Sequence, residues 1–256
     1  MIFTVDIGNT NIKIGIFDEQ GNLVHSFKMS TDVKRTSDEY VALLLQLLQH
    51  SGVKENAIKG AIVSTVIPQL DYTFTNVISY VFGVKPLVVG VGGRPGLAIK
   101  YESPRELGSD RIITCVAAAK QYGAPFILVD FGTATTFNVV NERNEFIGGA
   151  ITLGLRSTVD SLARCTAKLP NVELETPNKV VMQSTTKAIQ SGVIYGVVGQ
   201  VKYIIDRIRR ETGLGNAKVI ATGGLSRIIY NVEPLFDFVD RELSLRGLYE
   251  IYLLNN

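Results

Sequence analysis

Two short segments carry the residue types that could do chemistry. In the first, the apolar run Ile2-Phe3-Thr4-Val5 meets Asp6, and Ile7 leads into the small-residue turn Gly8-Asn9-Thr10. In the second, Phe126-Ile127-Leu128-Val129 meets Asp130, and Phe131 leads into Gly132-Thr133-Ala134. Glycine and small hydroxylic residues leave backbone N–H groups unshielded, so an anion can approach such a turn closely. The carboxylate at the strand end repels phosphate directly, but it can hold a hydrated Mg²⁺ or another cation that bridges to phosphate oxygens. Two such turns facing one another would clamp a polyphosphate. Taken singly, each reads better as an ordinary hairpin with Asp and Gly as turn formers. The repetition favours the clamp.

The segments that must position these residues repeat as well. Residues 2–30 read as a strand ending at Asp6, an alternating strand through Phe17, a Gly21-Asn22 turn and a third strand. Residues 126–152 follow the same grammar, with a polar turn from Asn141 to Glu145 before the third strand. The two Asp-x-Gly units lie about half the chain apart, which predicts a duplicated fold. Further along, Thr36-Ser37-Asp38-Glu39 is a capping box that starts a helix stopped by Gly52, and Ala57 to Thr65 is a strand. Pro68 opens a helix towards Phe82, Leu87 to Val89 is a short strand, and Gly90 to Gly96 is a glycine-rich loop. Ser103, Pro104 and Glu106 spell a second capping box, followed by a helical apolar face at Ile112, Ile113, Val116 and Ala119. The second repeat leads into a helix over about Ser157 to Ala167 and a long helix capped by Ser184 or Thr185. The strand Ala217 to Thr222, the Gly223-Gly224 turn, a last strand closing at Val239 and a helix over Leu245 to Leu254 complete the chain. Gly192, Gly196 and Gly199 interrupt the long helix, which predicts tight packing against a dimer partner or the neighbouring sheet.

Composition excludes several classes. A chain of 256 residues, 46% of them hydrophobic, can build one large or two small domains with real cores. A formal net charge of +2 argues against nucleic acid or a membrane surface as partner. The basic run Arg207, Arg209, Arg210 falls where a helix ends and complements its dipole. Cys115 and Cys165 are spaced neither as a disulfide framework nor as metal ligands. Asp6 stands where a signal peptide would need an apolar run, and no stretch has bilayer-spanning length, so the expectation is a soluble, cytoplasmic protein.

Asp6-Ile7-Gly8-Asn9-Thr10, Gly108-Ser109-Asp110-Arg111, Asp130-Phe131-Gly132-Thr133-Ala134 and Ala221-Thr222-Gly223-Gly224 together resemble type III pantothenate kinase over essentially the whole chain. The resemblance implies an α/β fold of the actin-like ATPase architecture: a duplicated ribonuclease H-like unit, with two mixed five-stranded sheets flanked by helices. The domains would be residues 1–107 and 108–256. It implies ATP-dependent phosphorylation of pantothenate to 4'-phosphopantothenate, the first step of coenzyme A synthesis, with Mg²⁺ and a monovalent cation, K⁺ or NH₄⁺, in a homodimer.

By the same resemblance Asp110 is the catalytic base, and Asp6, Ile7, Gly8, Asn9, Thr10, Asn11, Ile12 and Lys13 form the first ATP phosphate segment. Asp6 would hold Mg²⁺ through water. Asp130 is matched to the monovalent-cation ligand, Thr133 to an ATP contact, and Gly223-Gly224 to the adenosine motif. Tyr101, Gly108, Ser109, Asp110, Arg111 and Thr185 are matched to substrate contacts, with the Arg111 guanidinium suited to the pantothenate carboxylate. Read without the resemblance, Asp110 is an ordinary acid in a first helical turn, Lys13 a solvent-facing strand residue, Thr185 an N-cap and Gly223-Gly224 a tight turn. A regulatory, catalytically silent nucleotide-binding relative resembling the Bvg accessory factors shares these motifs and is the alternative.

Overall fold

Alternating apolar residues in both repeats form hairpin-linked strands. The computed structural model describes residues 1–90 and 94–256, so positions 91–93 of the expected glycine loop lie outside the described residues. In chain order the elements are β1 (Ile2–Ile7), β2 (Asn11–Phe17), β3 (Leu23–Ser30), α1 (Ser37–Ser51), β4 (Gly60–Thr65), α2 (Pro68–Phe82), β5 (Leu87–Val88) and β6 (Ala98–Ile99). Next come α3 (Ser109–Tyr122), β7 (Phe126–Phe131), β8 (Ala134–Val140), β9 (Glu145–Leu153), α4 (Leu155–Cys165) and α5 (Thr185–Thr212). The last are β10 (Lys218–Thr222), α6 (Ser226–Val232), β11 (Phe238–Val239) and α7 (Leu243–Leu254).

The chain divides into two compact units, one of Met1–Ala98, Ser103–Lys120 and Glu242–Asn256, the other of Ile99–Glu102 and Gln121–Arg241. These units do not follow the expected split between residues 107 and 108. Most of α3, and the terminal helix α7, belong to the first unit: α7 lies along its sheet, and α3 meets Ser64 through Ser109 and Gly247 of α7 through Ile113. Contact partners so distant in the chain leave no local mark in the sequence.

In the first unit the sheet order is β3-β2-β1-β4-β5, antiparallel between β1, β2 and β3 and parallel from β1 to β4 and β5. One face carries Phe3, Val5, Ile7, Ile12, Ile14 and Val63, which form a core with residues such as Leu44 of α1 and Phe74 of α2. The other face carries Thr4, Asp6, Lys13, Gly15, Gly60 and Ser64, as the strand register dictates. That face receives α7. A Cβ on Gly15 would sit 3.2 Å from Leu245 Cδ1, one on Gly60 would strike the Tyr252 ring, and Phe17 stacks on Tyr249 at 4.5 Å.

The second unit repeats the order as β9-β8-β7-β10-β11 and adds β6 beside β9, so its sheet has six strands where five were expected. The duplication reaches atomic detail. Asp18 Oδ1 accepts from the N–H groups of Gln20 and Asn22 at 2.9 and 2.8 Å, and Asn141 Oδ1 accepts from Arg143 and Glu145, both at 3.0 Å. The third residue after each Asx, Gly21 or Asn144, has positive φ, at 83° and 59°. Register shifts fall at Ile16/Phe17 and at Val139/Val140, matching places in the second strand of each unit.

One local expectation is corrected, and of the two caps offered for the long helix one is observed. The Ser103 segment forms only a 3₁₀ turn over Pro104–Glu106 with no side-chain cap, and α3 starts later, at Ser109. The cap of α5 is Ser184, whose hydroxyl accepts from the Lys187 N–H, leaving Thr185 as the first helical residue.

Candidate active site

The first unit gathers a polar cluster at the end of its central strand. Asp6 lies in register with Lys13 on β2 and Ser64 on β4, so all three side chains leave the same face of the sheet. Lys13 Nζ donates to Ser244 Oγ at 3.3 Å, and Ser244 donates to the Asp6 carboxylate. Ser64 Oγ lies 2.9 Å from Ser109 Oγ, the first residue of α3. Burial pushes the Asp6 pKa up. The Lys13 charge and the Ser244 hydrogen bond pull it down, and the Asp110 charge adds to the rise.

The turn beyond Asp6 is closed by Gly8 N–H donating to Asn11 O at 3.0 Å. Thr31 pins it from β3's end, its hydroxyl donating to Gly8 O at 2.7 Å and its N–H to Thr10 O at 3.1 Å. Asn9 and Thr10 form the exposed crest. Ile7 and Ile12 are fully buried in the core, so any ligand contact from them is through the backbone.

Asp110 projects from the first turn of α3 and is exposed, whereas Arg111 is recessed at 7% exposure. A Cβ on Gly108 would run into the Asp110 carboxylate, so glycine leaves that side chain its place. The acid stands at a helix N-terminus, where the helix dipole favours negative charge.

In the second unit Asp130 pairs in register with Thr136 and Thr222. The hairpin after it is one residue shorter than its counterpart: Asp6 faces Lys13, but Asp130 faces Thr136, so this copy has no lysine at that place. Gly223, with φ 91°, lies against Asp130: an added Cβ would be 2.5 Å from Oδ1 and 2.6 Å from Phe131 O. Thr133 O accepts from Gly154 N–H at 3.2 Å and from Ser157 Oγ at 2.9 Å. Asp130, Gly132, Thr133 and Gly223 are thus brought together. Gly224 opens onto free space. Tyr101 stands edge-on to Phe146 at 5.9 Å.

Thr185 lines a separate cleft of about 750 Å³ with Thr152, Thr158, Gly192, Gly196 and Gln200, where Gln200 Nε2 donates to Thr152 Oγ1 at 3.2 Å. Tyr101 does not line it. An added Cβ at Gly192, Gly196 or Gly199 would meet nothing within 4 Å. The neighbouring sheet therefore does not pack on these glycines, contrary to that half of the expectation.

Sequence reasoning missed Ser64, Ser244 and Thr31. Ser64 had a signal, since Ala61-Ile62-Val63-Ser64 ends in a polar residue as Phe3-Thr4-Val5-Asp6 does. Ser244 had none. Among the described residues no group of three or more His, Cys, Asp and Glu is placed to hold a metal, and no helix is long and apolar enough to cross a membrane.

The family model for type III pantothenate kinase matches residues 2–207, most of the chain and both aspartate turns. The chain belongs to the type III pantothenate kinase family. As a member of that family it is an ATP-using phosphotransferase with an alcohol acceptor. Its fold is shared with a protein described as a Baf family transcriptional activator from Campylobacter jejuni, at TM-score 0.61, 19% identity and coverage of 98% of this chain and 97% of that one. It is also shared with a Sinorhizobium meliloti protein described as a 2-dehydro-3-deoxygalactonokinase, at TM-score 0.58, 13% identity and coverage of 98% and 96%. The activator of 2-hydroxyisocaproyl-CoA dehydratase from Clostridium difficile, solved with bound ADPNP, matches at TM-score 0.51, 12% identity and coverage of 98% and 93%. At these identities the structures speak for the actin-like ATPase fold. The type III pantothenate kinase assignment rests on the family match.

Proposed function

We propose that this protein transfers the γ-phosphoryl group of ATP to the primary hydroxyl of pantothenate, giving 4'-phosphopantothenate and ADP, the first step of coenzyme A synthesis. The observation that carries this reading is the cluster in which Asp6, Lys13, Ser64 and Ser109 converge next to an exposed Asp110. Asp110 accepts the hydroxyl proton on a carboxylate oxygen as the new O–P bond forms and the bond to the ADP oxygen breaks. Phosphoryl transfer asks mainly for positioning and charge stabilisation, so one carboxylate suffices as base. Gly108 gives that carboxylate room, and the Ser64–Ser109 bond holds the start of its helix to the sheet.

The turn Gly8-Asn9-Thr10-Asn11 approaches the phosphates through its backbone, with Lys13 adding positive charge beside Asp6. Among the described residues no group of three or more acidic or other metal-ligating side chains surrounds Asp6, which suits Mg²⁺ held through water, with phosphate oxygens completing its shell. Bound there, the ion would neutralise charge on the phosphates. Asp130 would hold the monovalent cation, K⁺ or NH₄⁺, and the glycine backbone at Gly132 and Gly223 leaves it room. Thr133 and Gly223-Gly224 contact ATP in this reading, while Tyr101, Gly108, Ser109, Arg111 and Thr185 contact pantothenate. The open glycine face of α5 supports a homodimer, and the cytoplasm is its place.

The Campylobacter protein's description raises the regulatory alternative, at an identity that speaks for fold only. Retention of Asp110 beside the Asp6 cluster favours the enzyme. ADP release with ATP, Mg²⁺ and K⁺, with and without pantothenate, tests the choice. Pantothenate-dependent release that collapses in Asp110→Asn supports the kinase. Nucleotide binding without release in any cation would overturn it.

A further inference from the structure

The terminal helix α7 contributes a residue to this cluster although it lies outside the segment matched to the family, which ends at residue 207. Ser244, on its first turn, is 3% exposed and meets Lys13, 231 residues earlier in the chain. Its helix cannot shift readily. Gly247, one turn on, packs so closely on α3 that a Cβ would collide with Ile113 O, and Gly15, two residues from Lys13 on β2, leaves space for Leu245. A serine hydroxyl has one proton and two lone pairs. Facing a carboxylate and an ammonium together, it has one arrangement open to it: the proton goes to Asp6 and a lone pair receives Lys13. Among the described residues Asp6 and Lys13 make no direct ion pair, although they face each other across neighbouring strands.

We propose that Ser244 is a positioning residue for the phosphate end of the nucleotide site, holding the Asp6 carboxylate and the Lys13 ammonium apart and oriented. Were the hydroxyl absent, the two charges would be free to close on each other, and each would be withdrawn from its phosphate-side task. Hydrogen bonds to charged groups are roughly twice as strong as neutral ones, so the loss should be visible in binding. This inference rests on the kinase reading for the nature of the ligand, not for the geometry.

The test uses the full chain with Ser244→Ala, Ser244→Thr and Ser244→Cys. Calorimetry measures Mg-ADP binding, and steady-state kinetics separate KM for ATP from KM for pantothenate. In Ser244→Ala, Mg-ADP should bind about tenfold more weakly and KM for ATP should rise about as much, with KM for pantothenate unchanged. Ser244→Thr, which keeps the hydroxyl, should restore both. If Ser244→Ala does not fold, Ser244→Cys takes its place as a near-isosteric weak donor, and its loss relative to Thr carries the same meaning. Wild-type binding of Mg-ADP by the Ala or Cys variant, or equal rises in both KM values, would overturn the proposal. Should the wild type bind Mg-ADP but release no ADP with pantothenate, the kinase reading falls and the calorimetry still decides on Ser244.

Discussion

Asp6 sits among opposing influences, and their balance makes it costly to keep charged. Burial and the Asp110 charge raise its pKa against the pull of Lys13 and the Ser244 hydroxyl. An aspartate whose folded pKa is raised binds its proton more tightly in the native state. Its ionisation therefore destabilises the fold above the raised pKa, and that penalty disappears as pH falls below the ordinary aspartate value of 3.8. Asp6→Asn is expected to raise the Tm at pH 7 to 8, with the gain shrinking towards pH 4, while weakening Mg-ADP binding. Thermal melts across that range check the sign, and calorimetry checks the binding. Asp110 is exposed. Asp110→Asn should lower kcat by about 10²–10⁴-fold, the usual contribution of a positioned general base, while Mg-ADP binding and Tm stay near wild type. Single-turnover ADP release gives the rate.

At the scale of elements, the two hairpin turns at Asp18 and Asn141 solve one geometric problem with different residues. Each needs a backbone in the left-handed region three residues on, which Gly21 supplies without strain and Asn144 supplies at φ 59°. Asn144 is exposed, so packing does not complicate a substitution there. Asn144→Val should destabilise by about 1–2 kcal/mol, the cost of a β-branched residue forced left-handed, and Asn144→Gly should not. Urea unfolding of the two variants distinguishes them. The Asp18 turn also carries a pH signature of opposite sign to Asp6. The Asn22 side chain foremost, and then backbone N–H groups, hold the Asp18 pKa below its usual range. The stability it adds is present above its unfolded pKa and is lost as pH falls through the lowered folded value.

The whole molecule depends on where α7 returns. Three glycines clear its bed: Gly15 and Gly60 on the sheet, and Gly247 on the helix itself against the Ile113 carbonyl. Gly247→Ala would force a methyl into backbone, which can give way only by moving α7 or α3. A loss of about 1–3 kcal/mol is expected, the range for overpacked cores, together with weaker Mg-ADP binding because Ser244 moves with its helix. Denaturant unfolding and calorimetry on the same variant check whether the two effects appear together.

What the sequence determined by itself was local or repeated. Strand periodicity, the Thr36 capping box, Pro68 at a helix start and the doubled Asp-x-Gly turn all act over a few residues, and each formed as the pattern predicted. The repeat also predicted a duplicated fold, and the two sheets share a strand order because the same hairpin grammar has the same register solution. Chain order could not say that α3 and α7 join the first unit, that β6 extends the second sheet, or that the turn after Asp130 is one residue shorter in register. Nor could it single out Ser244 among the serines, since its partner lies 231 residues away. Those placements come from burying the second face of each sheet, a condition that only the folded chain can satisfy.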